Sequence, residues 1–238
     1  MNQLSAVIAP CPAGLRGFDT ASRVTAAQAR AMRAADYRFA IRYVSIGATN
    51  KDATRVELDA ILDAGLGLAL VQRVRWAGEW RPTAKLGAQD GATAARHASA
   101  LGYPPGGLLW CDLEGVAGYS PDRQGKIRPR SLPSDIIAHL NAWASAVVAA
   151  GFRAGLYVGA GCGLSGAHLG ALPLFHAYWD SCSRNPVPSP RRWQLVQEGE
   201  RWVDLGMAGK LCIDPDVVRM DARGDLPLFA WRAEAMNS

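Results

Sequence analysis

Short apolar runs alternate with stretches of helical spacing along almost the whole chain, and this alternation constrains the fold more than any other feature. The runs are LRGFDT (15–20), RFAIRYVS (38–45), LGLALVQRV (66–74), GLLWCDLE (107–114), RAGLYVGA (153–160), FHAYWDS (175–181), RWQLVQEG (192–199) and GKLCIDPDVV (209–218). Helical spacing fills TAAQARAMRAADY (25–37), TRVELDAILDAG (54–65), GAQDGATAARHASALG (87–102) and SLPSDIIAHLNAWASAVVAAG (131–151), with a short helix around 163–171. Thr54 with Glu57 forms a capping-box pattern and Gly65 a C-terminal stop. Ser134 is the N-cap candidate of the 131–151 helix, and Gly151 follows its end.

Alternation of this kind predicts parallel strands joined by helical crossovers. Eight units in 238 residues suit an α/β fold of the (β/α)8 TIM-barrel type, whose usual size is about 250 residues. The helices between the last three strands look short or absent, so the C-terminal third is expected to carry reduced helices. A doubly wound sheet is the alternative, but the first βα turn, GFDTAS, has no GxGxxG. GAGCG (159–163) has the wrong spacing for a nucleotide fingerprint and reads as a tight turn. The Pro-rich NPVPSP (185–190) reads as a rigid surface loop, because strands continue on both sides. The expectation is one domain over 1–238, with its core at about 15–220.

The stretch LLWCDLEGV (108–116) places Asp112 and Glu114 at the end of an apolar run. Strand residues two apart share a side, so the two carboxylates stand about 6–7 Å apart at Cα, with Trp110 on the same side. Leu109, Cys111 and Leu113 then face the helices. In a barrel the acids point into the mouth at the C-terminal strand ends, where barrel enzymes keep their chemistry. The first run ends in Asp19 and the last carries Asp214. First and last strands are neighbours in a closed barrel, so Asp19, Asp112, Glu114 and Asp214 are expected to ring one cleft. Tyr43, Gln72, Tyr157, Trp179, Asp180 and Gln197 also fall near strand ends and, with Trp110, are candidate substrate contacts. Aromatic rings over a carboxylate cluster suit a sugar, with rings stacking on pyranose faces and acids and amides bonding hydroxyls. Clustered carboxylates repel, which raises one pKa and lets a Glu donate its proton while a neighbour stays ionised. Glycoside hydrolysis uses this division of roles.

Composition removes several other classes. The net charge is +5, carried by 22 Arg against 4 Lys, but the arginines are scattered rather than set in a stripe, so no nucleic-acid partner is expected. No run of 18 apolar residues marks a membrane span. The N-terminus lacks the basic and apolar regions of a signal peptide, so synthesis in the cytoplasm is expected, with action at the periplasm or cell wall after holin- or secretion-dependent release. The five cysteines, at 11, 111, 162, 182 and 212, form no CxxC and no disulfide framework. No HExxH, clustered histidines or GxSxG appears, so neither a metal nor another cofactor is expected, and His97 and His139 are placed on helix surfaces. A thiol site could be drawn from Cys182, Asp180 and His176, but a structural reading is preferred. A monomer is expected.

These motifs resemble the glycoside hydrolase family 25 barrel of the Chalaropsis-type lysozymes, and more closely the glycoside-hydrolase-like domain of unknown function grouped with them. WCDLEG is similar to the family's Asp-x-Glu strand, TRVELDAILDAGLGLALV to the segment by which the uncharacterised group is recognised, and RWQLVQ with IDPDVV to the closing strands. The resemblance implies Glu114 as general acid, Asp112 steadying substrate or developing positive charge, and Asp19 and Asp214 completing the acidic ring. It implies peptidoglycan as substrate, at the β-1,4 bond between N-acetylmuramic acid and N-acetylglucosamine, with the substrate's own acetamido group a candidate nucleophile. The chain departs from the family's Asp-x-Ser at Asp19-Thr20-Ala21, from its Asp-Leu-Asn at Asp214-Pro215-Asp216, and from its Trp-x-x-Gln-Tyr in AYWDSCSRNP. Two functions follow: a peptidoglycan-directed glycosidase, of a phage, a prophage or a secreted effector, or a barrel that holds a cell-wall glycan without cutting it. Convergence of the four acids in one cleft favours the first. A buried ion pair of Glu114 or Asp214 with an arginine such as Arg42 favours the second, or a purely structural role for the acids.

Overall fold

The structure, a computed structural model, describes residues 3–45, 49, 51–73, 81–116, 119–121, 127–129, 131–182 and 191–234. In chain order it begins with β1 (Val7–Pro10), β2 (Arg16–Thr20), α1 (Ala26–Ala34), β3 (Phe39–Val44), α2 (Arg55–Asp63), β4 (Gly67–Gln72), α3 (Ala84–Ala100) and β5 (Leu108–Leu113). A small hairpin follows, β6 (Tyr119–Pro121) with β7 (Ile127–Pro129), then α4 (Pro133–Ala149), β8 (Arg153–Val158) and α5 (Gly166–Gly170). The chain closes with β9 (Phe175–Asp180), β10 (Leu195–Gln197), β11 (Arg201–Asp204), β12 (Lys210–Val218) and β13 (Leu228–Trp231). The 185–190 segment lies outside the described residues.

All eight expected strands form the barrel. They pair in the ring β4-β3-β2-β12-β10-β9-β8-β5, which β4 closes by pairing with β5. Neighbours from β2 round to β10 are parallel. The last strand departs from the expected parallel pattern: β12 runs antiparallel to both β10 and β2. Its connection explains the reversal. Parallel neighbours need a crossover of a dozen or more residues, usually a helix, whereas a short turn returns the chain antiparallel. Here β10 and β11 pair in succession with one long β12 through a turn at Leu205–Gly209, so the three make a single extended hairpin.

The helices form where their patterns place them. Thr54 caps α2: its hydroxyl accepts from the Glu57 amide at 3.3 Å, and the Glu57 carboxylate accepts from the Thr54 amide at 3.4 Å. Gly65 ends that helix with φ +78°. Ser134 is not the cap of α4. Leu132 occupies that position with no side-chain bond, and Pro133 opens the helix, its fixed φ and missing N–H being suited to the first turn. The small-residue face of α3 lets it lie close against α4: a Cβ at Gly91 would come within 2.4 Å of the Trp143 carbonyl oxygen. His139 is correspondingly buried in α4 rather than on its surface.

Two apolar shells result. Helix-facing strand residues pack with Leu58, Ile61, Leu140 and Trp143. The barrel interior holds Phe39, Ile41, Val71, Leu108, Trp110 and Trp179. This inner shell runs past the expected 15–220 core to Ala9, Cys11, Phe229 and Trp231. β1 and β13 pair antiparallel, and β13 joins the edge of β4 at Leu68. They sit against the early residues of the strands and leave the opposite end for the mouth. No helix among the described residues is long and apolar enough to cross a membrane. All five cysteines are free.

Candidate active site at the barrel mouth

Strand parity decides which side chains enter the mouth. On β2, Phe18 packs in the helix-side shell, so Asp19 points inward. On β3, Phe39 and Ile41 are interior and Tyr43 follows them; on β5, Leu108 and Trp110 are interior and Asp112 follows. Leu109, Cys111 and Leu113 pack on the helix side, as expected. On β12, Leu211 and Ile213 face the helix side, which turns Asp214 and Asp216 inward. The register sets Asp214 opposite Asp19, and Asp112 opposite Tyr157 of β8.

Asp19 sits at the centre of a hydrogen-bonded group. It is fully buried. Tyr43 Oη donates to its Oδ1 at 3.2 Å, and Gln197 Nε2 donates to its Oδ2 at 2.7 Å. Tyr157 Oη in turn donates to Gln197 Oε1 at 3.0 Å. Burial, then the charge of Asp214, pushes the Asp19 carboxyl up to about 7, against the pull of Gln197, Tyr43 and Arg42. Burial and the charge of Glu200 raise Asp214 to about 6. The hydroxyls of Tyr43 and Tyr157 are held in the neutral form by burial and by the surrounding acids, including Asp112 and Asp19.

Glu114 stands just beyond the end of β5, half buried. Burial raises its pKa, while the charge of Arg73 at the end of β4 draws it back. The chain makes room for it with Gly159, where a Cβ would lie 2.4 Å from Glu114 Cβ and 2.9 Å from its Oε2. The GAGCG stretch is thus a turn that backs this loop: the amides of Gly115 and Val116 donate to the carbonyls of Ala160 and Gly161 at 2.7 and 2.9 Å.

Arg42 does not reach these acids as an ion-pair partner. It is buried on the opposite side of β3, where Nε donates to Glu57 Oε1 at 2.6 Å and the guanidinium also bonds the carbonyl of Thr20.

Four expected contacts fall elsewhere. Gln72 has the parity of Leu68 and Leu70 and points at the helices, accepting from Trp143 Nε1 at 2.6 Å and donating to the Asp90 carbonyl at 2.8 Å. Asp180 shares the helix-side parity of Tyr178. Trp110 and Trp179 do point inward, but at 0% and 1% exposure they are the packed floor beneath the acids, edge-to-face at 5.5 Å, and offer no face to a sugar. Nearness to a strand end places a residue at the right height. Parity and depth decide whether it meets the cleft. His176 lies near the start of β9, within 3.3 Å of the Leu226 carbonyl, away from Cys182, so no thiol site assembles.

Asp216 was missed. It is fully buried and accepts from Trp179 Nε1 at 2.8 Å through Oδ1. Its Oδ2 has no hydrogen-bond partner among the described residues. Burial and then the charge of Asp19 push its carboxyl well above the ordinary carboxylate range. The signal was present: Asp216 follows Asp214 by two residues, the spacing that pairs Asp112 with Glu114. Together these groups can present a proton at Glu114 and a patch of negative potential across the mouth, where positive charge on a sugar ring would develop.

The family model of the Rv2525c-like, glycoside hydrolase-like domain matches residues 30–209, a span that includes Asp112 and Glu114 and leaves out Asp19 and Asp214. An uncharacterized protein of B. stearothermophilus superposes with a TM-score of 0.63 at 18% identity, covering 87% of this chain and 96% of that one. The Tat-secreted protein Rv2525c of Mycobacterium tuberculosis, solved with L-tartrate, gives 0.60 at 18% identity over 87% and 96%. A family 25 glycosyl hydrolase from Bacillus anthracis gives 0.55 at 15% identity over 87% and 89%. These likenesses are of fold. No curated protein matches the chain in sequence.

Proposed function

Because the chain belongs to the Rv2525c-like, glycoside hydrolase-like family, we propose that it is a glycoside hydrolase acting on peptidoglycan in the manner of a muramidase. Glu114 is its general acid. The observation that carries this reading is the placement of Glu114: half buried at the mouth, its pKa raised by desolvation, next to Asp112 on one strand face. A carboxyl whose pKa is raised in this way is suited to protonate the oxygen of a leaving sugar. Asp112 lies where it can steady the substrate or the positive charge that develops on the ring, and Asp19 and Asp214 extend the negative field across the barrel. Tyr43 and Gln197, the latter held by Tyr157, fix Asp19 in place and offer polar edges to sugar hydroxyls. On this reading the protein works at the cell wall, after release from the cytoplasm by a holin or a secretion apparatus.

A glycan-binding barrel without catalysis is the second reading. It is favoured by Asp19, whose two oxygens are already taken by Tyr43 and Gln197. Reducing-end release from purified peptidoglycan separates the two. Wild type should release fragments, and Glu114→Gln should lower the rate roughly 10²–10⁴-fold, the usual contribution of general acid catalysis. Equal, negligible release by both proteins, with the wild type still sedimenting with the wall, would establish the binding barrel instead.

A further inference from the structure

The extended hairpin does more than close the barrel. Past Gln197 its strands leave the ring, so β11 and the first half of β12 overhang the mouth. One face of this overhang is anchored: Leu211 and Ile213 are buried in the helix-side core, and Val203 and Leu205 pack against it. Thr20 Oγ1 adds a bond to the Cys212 carbonyl at 2.6 Å, and Gln28 Nε2 one to the Lys210 carbonyl at 3.3 Å.

The other face is the continuation of the acid ring. Cys212 and Asp214 are two residues apart on β12 and share a side, about 6–7 Å along the strand. Trp202 is the register partner of Cys212, and cross-strand partners lie on the same face. Trp202 is 69% exposed, and its indole has no ring or hydrogen-bonding partner among the described residues. Cys212, the register partner of Trp202, lines a cleft of about 520 Å³ together with Asp214, Glu200, Tyr43, Arg23 and Lys51, and Trp202 stands on the same face beside it. An exposed tryptophan on a rigid strand costs little ordering entropy when it binds, and its apolar face matches the C–H face of a pyranose.

We propose that Trp202 is the stacking platform of a second sugar-binding subsite, one register step outward from Asp214 on the overhanging hairpin. The occupant is a pyranose unit of the glycan whose neighbouring unit lies over the acid ring. Its ring rests on Trp202, its hydroxyls meet Glu200 and Asp214, and its acidic or acetamido substituents meet Lys51 and Arg23. This subsite rests on the glycan reading given above.

Binding of purified peptidoglycan sacculi, measured by sedimentation in a Glu114→Gln background so that nothing is cut, tests it. Adding Trp202→Ala should weaken binding roughly five- to tenfold, the scale of one lost aromatic contact. Adding Trp202→Phe should restore most of the affinity. Met207→Ala, at the fully exposed hairpin tip, should leave it unchanged. Unaltered binding by Trp202→Ala, or equal losses from Trp202→Ala and Met207→Ala, would overturn the subsite. Absence of binding by Glu114→Gln alone would overturn it as well. Whether the hydrolase reading falls too is then read separately, from reducing-end release by the wild type.

Discussion

Asp19 gives up both solvent and free hydrogen-bonding capacity, and the consequence is a pH-dependent stability. Its carboxyl is raised from an ordinary 3.8 to about 7 by burial and by Asp214. A carboxyl that holds its proton more tightly in the folded chain than in the unfolded one opposes folding once both are ionised. Below about pH 4 the group is protonated in both states and contributes nothing adverse. As pH rises to about 7 the unfolded chain ionises freely and the folded one resists, so stability falls across that window and then levels. Asp19→Asn cannot ionise. Its melting temperature should exceed that of the wild type by most at about pH 8, with the gain shrinking towards about pH 4, while on the proposed hydrolase reading glycan hydrolysis falls. A gain that does not change with pH would remove Asp19 as the titrating group. The Asp-x-Glu pair and Asp19 were legible because strand periodicity is a local property. The environment that sets the Asp19 pKa is assembled from residues distant in sequence, with burial and Asp214 raising it and Gln197, Tyr43 and Arg42 drawing it down.

Among elements, the join between β4 and the α3–α4 pair shows how a polar residue at a strand end can be structural. Gln72 accepts from the Trp143 indole and donates to the Asp90 carbonyl, both buried. Gln72→Leu would leave that buried N–H without its acceptor and the carbonyl without this donor. It should cost about 1–3 kcal/mol of stability in denaturant unfolding. On the proposed hydrolase reading, reducing-end release by the folded protein should be unchanged. A selective loss of turnover would return Gln72 to the site. The same parity separates Asp180 from the cleft. The capping box of α2 was readable from Thr54 and Glu57 because both partners lie within one turn. The cap of α4 was not, because Pro133 opens that helix ahead of Ser134 with no side-chain bond to announce it.

At the scale of the whole molecule, the barrel is sealed at one end and carries its acids at the other. Phe229 of β13 is fully buried and packs against Phe39 at 4.7 Å between ring centres. Phe229→Ala should cost about 3–5 kcal/mol through the cavity it opens, lowering the denaturant midpoint while, on the proposed hydrolase reading, the pH profile of glycan cleavage keeps its shape. A changed profile would mean that the floor and the mouth are coupled. The amino-acid sequence by itself determined the eight strands, the alternation with helices, the barrel class and the acid pair of β5, because hydrophobic periodicity and turn chemistry act within a few residues. Tertiary structure decided the rest: the reversal of β12, the seal of β1 against β13, the inward turn of Asp216, the burial of Trp110 and Trp179, and the exposure of Trp202 over the mouth. Each depends on which strand lies beside which and at what depth, and those are relations between residues far apart in the chain.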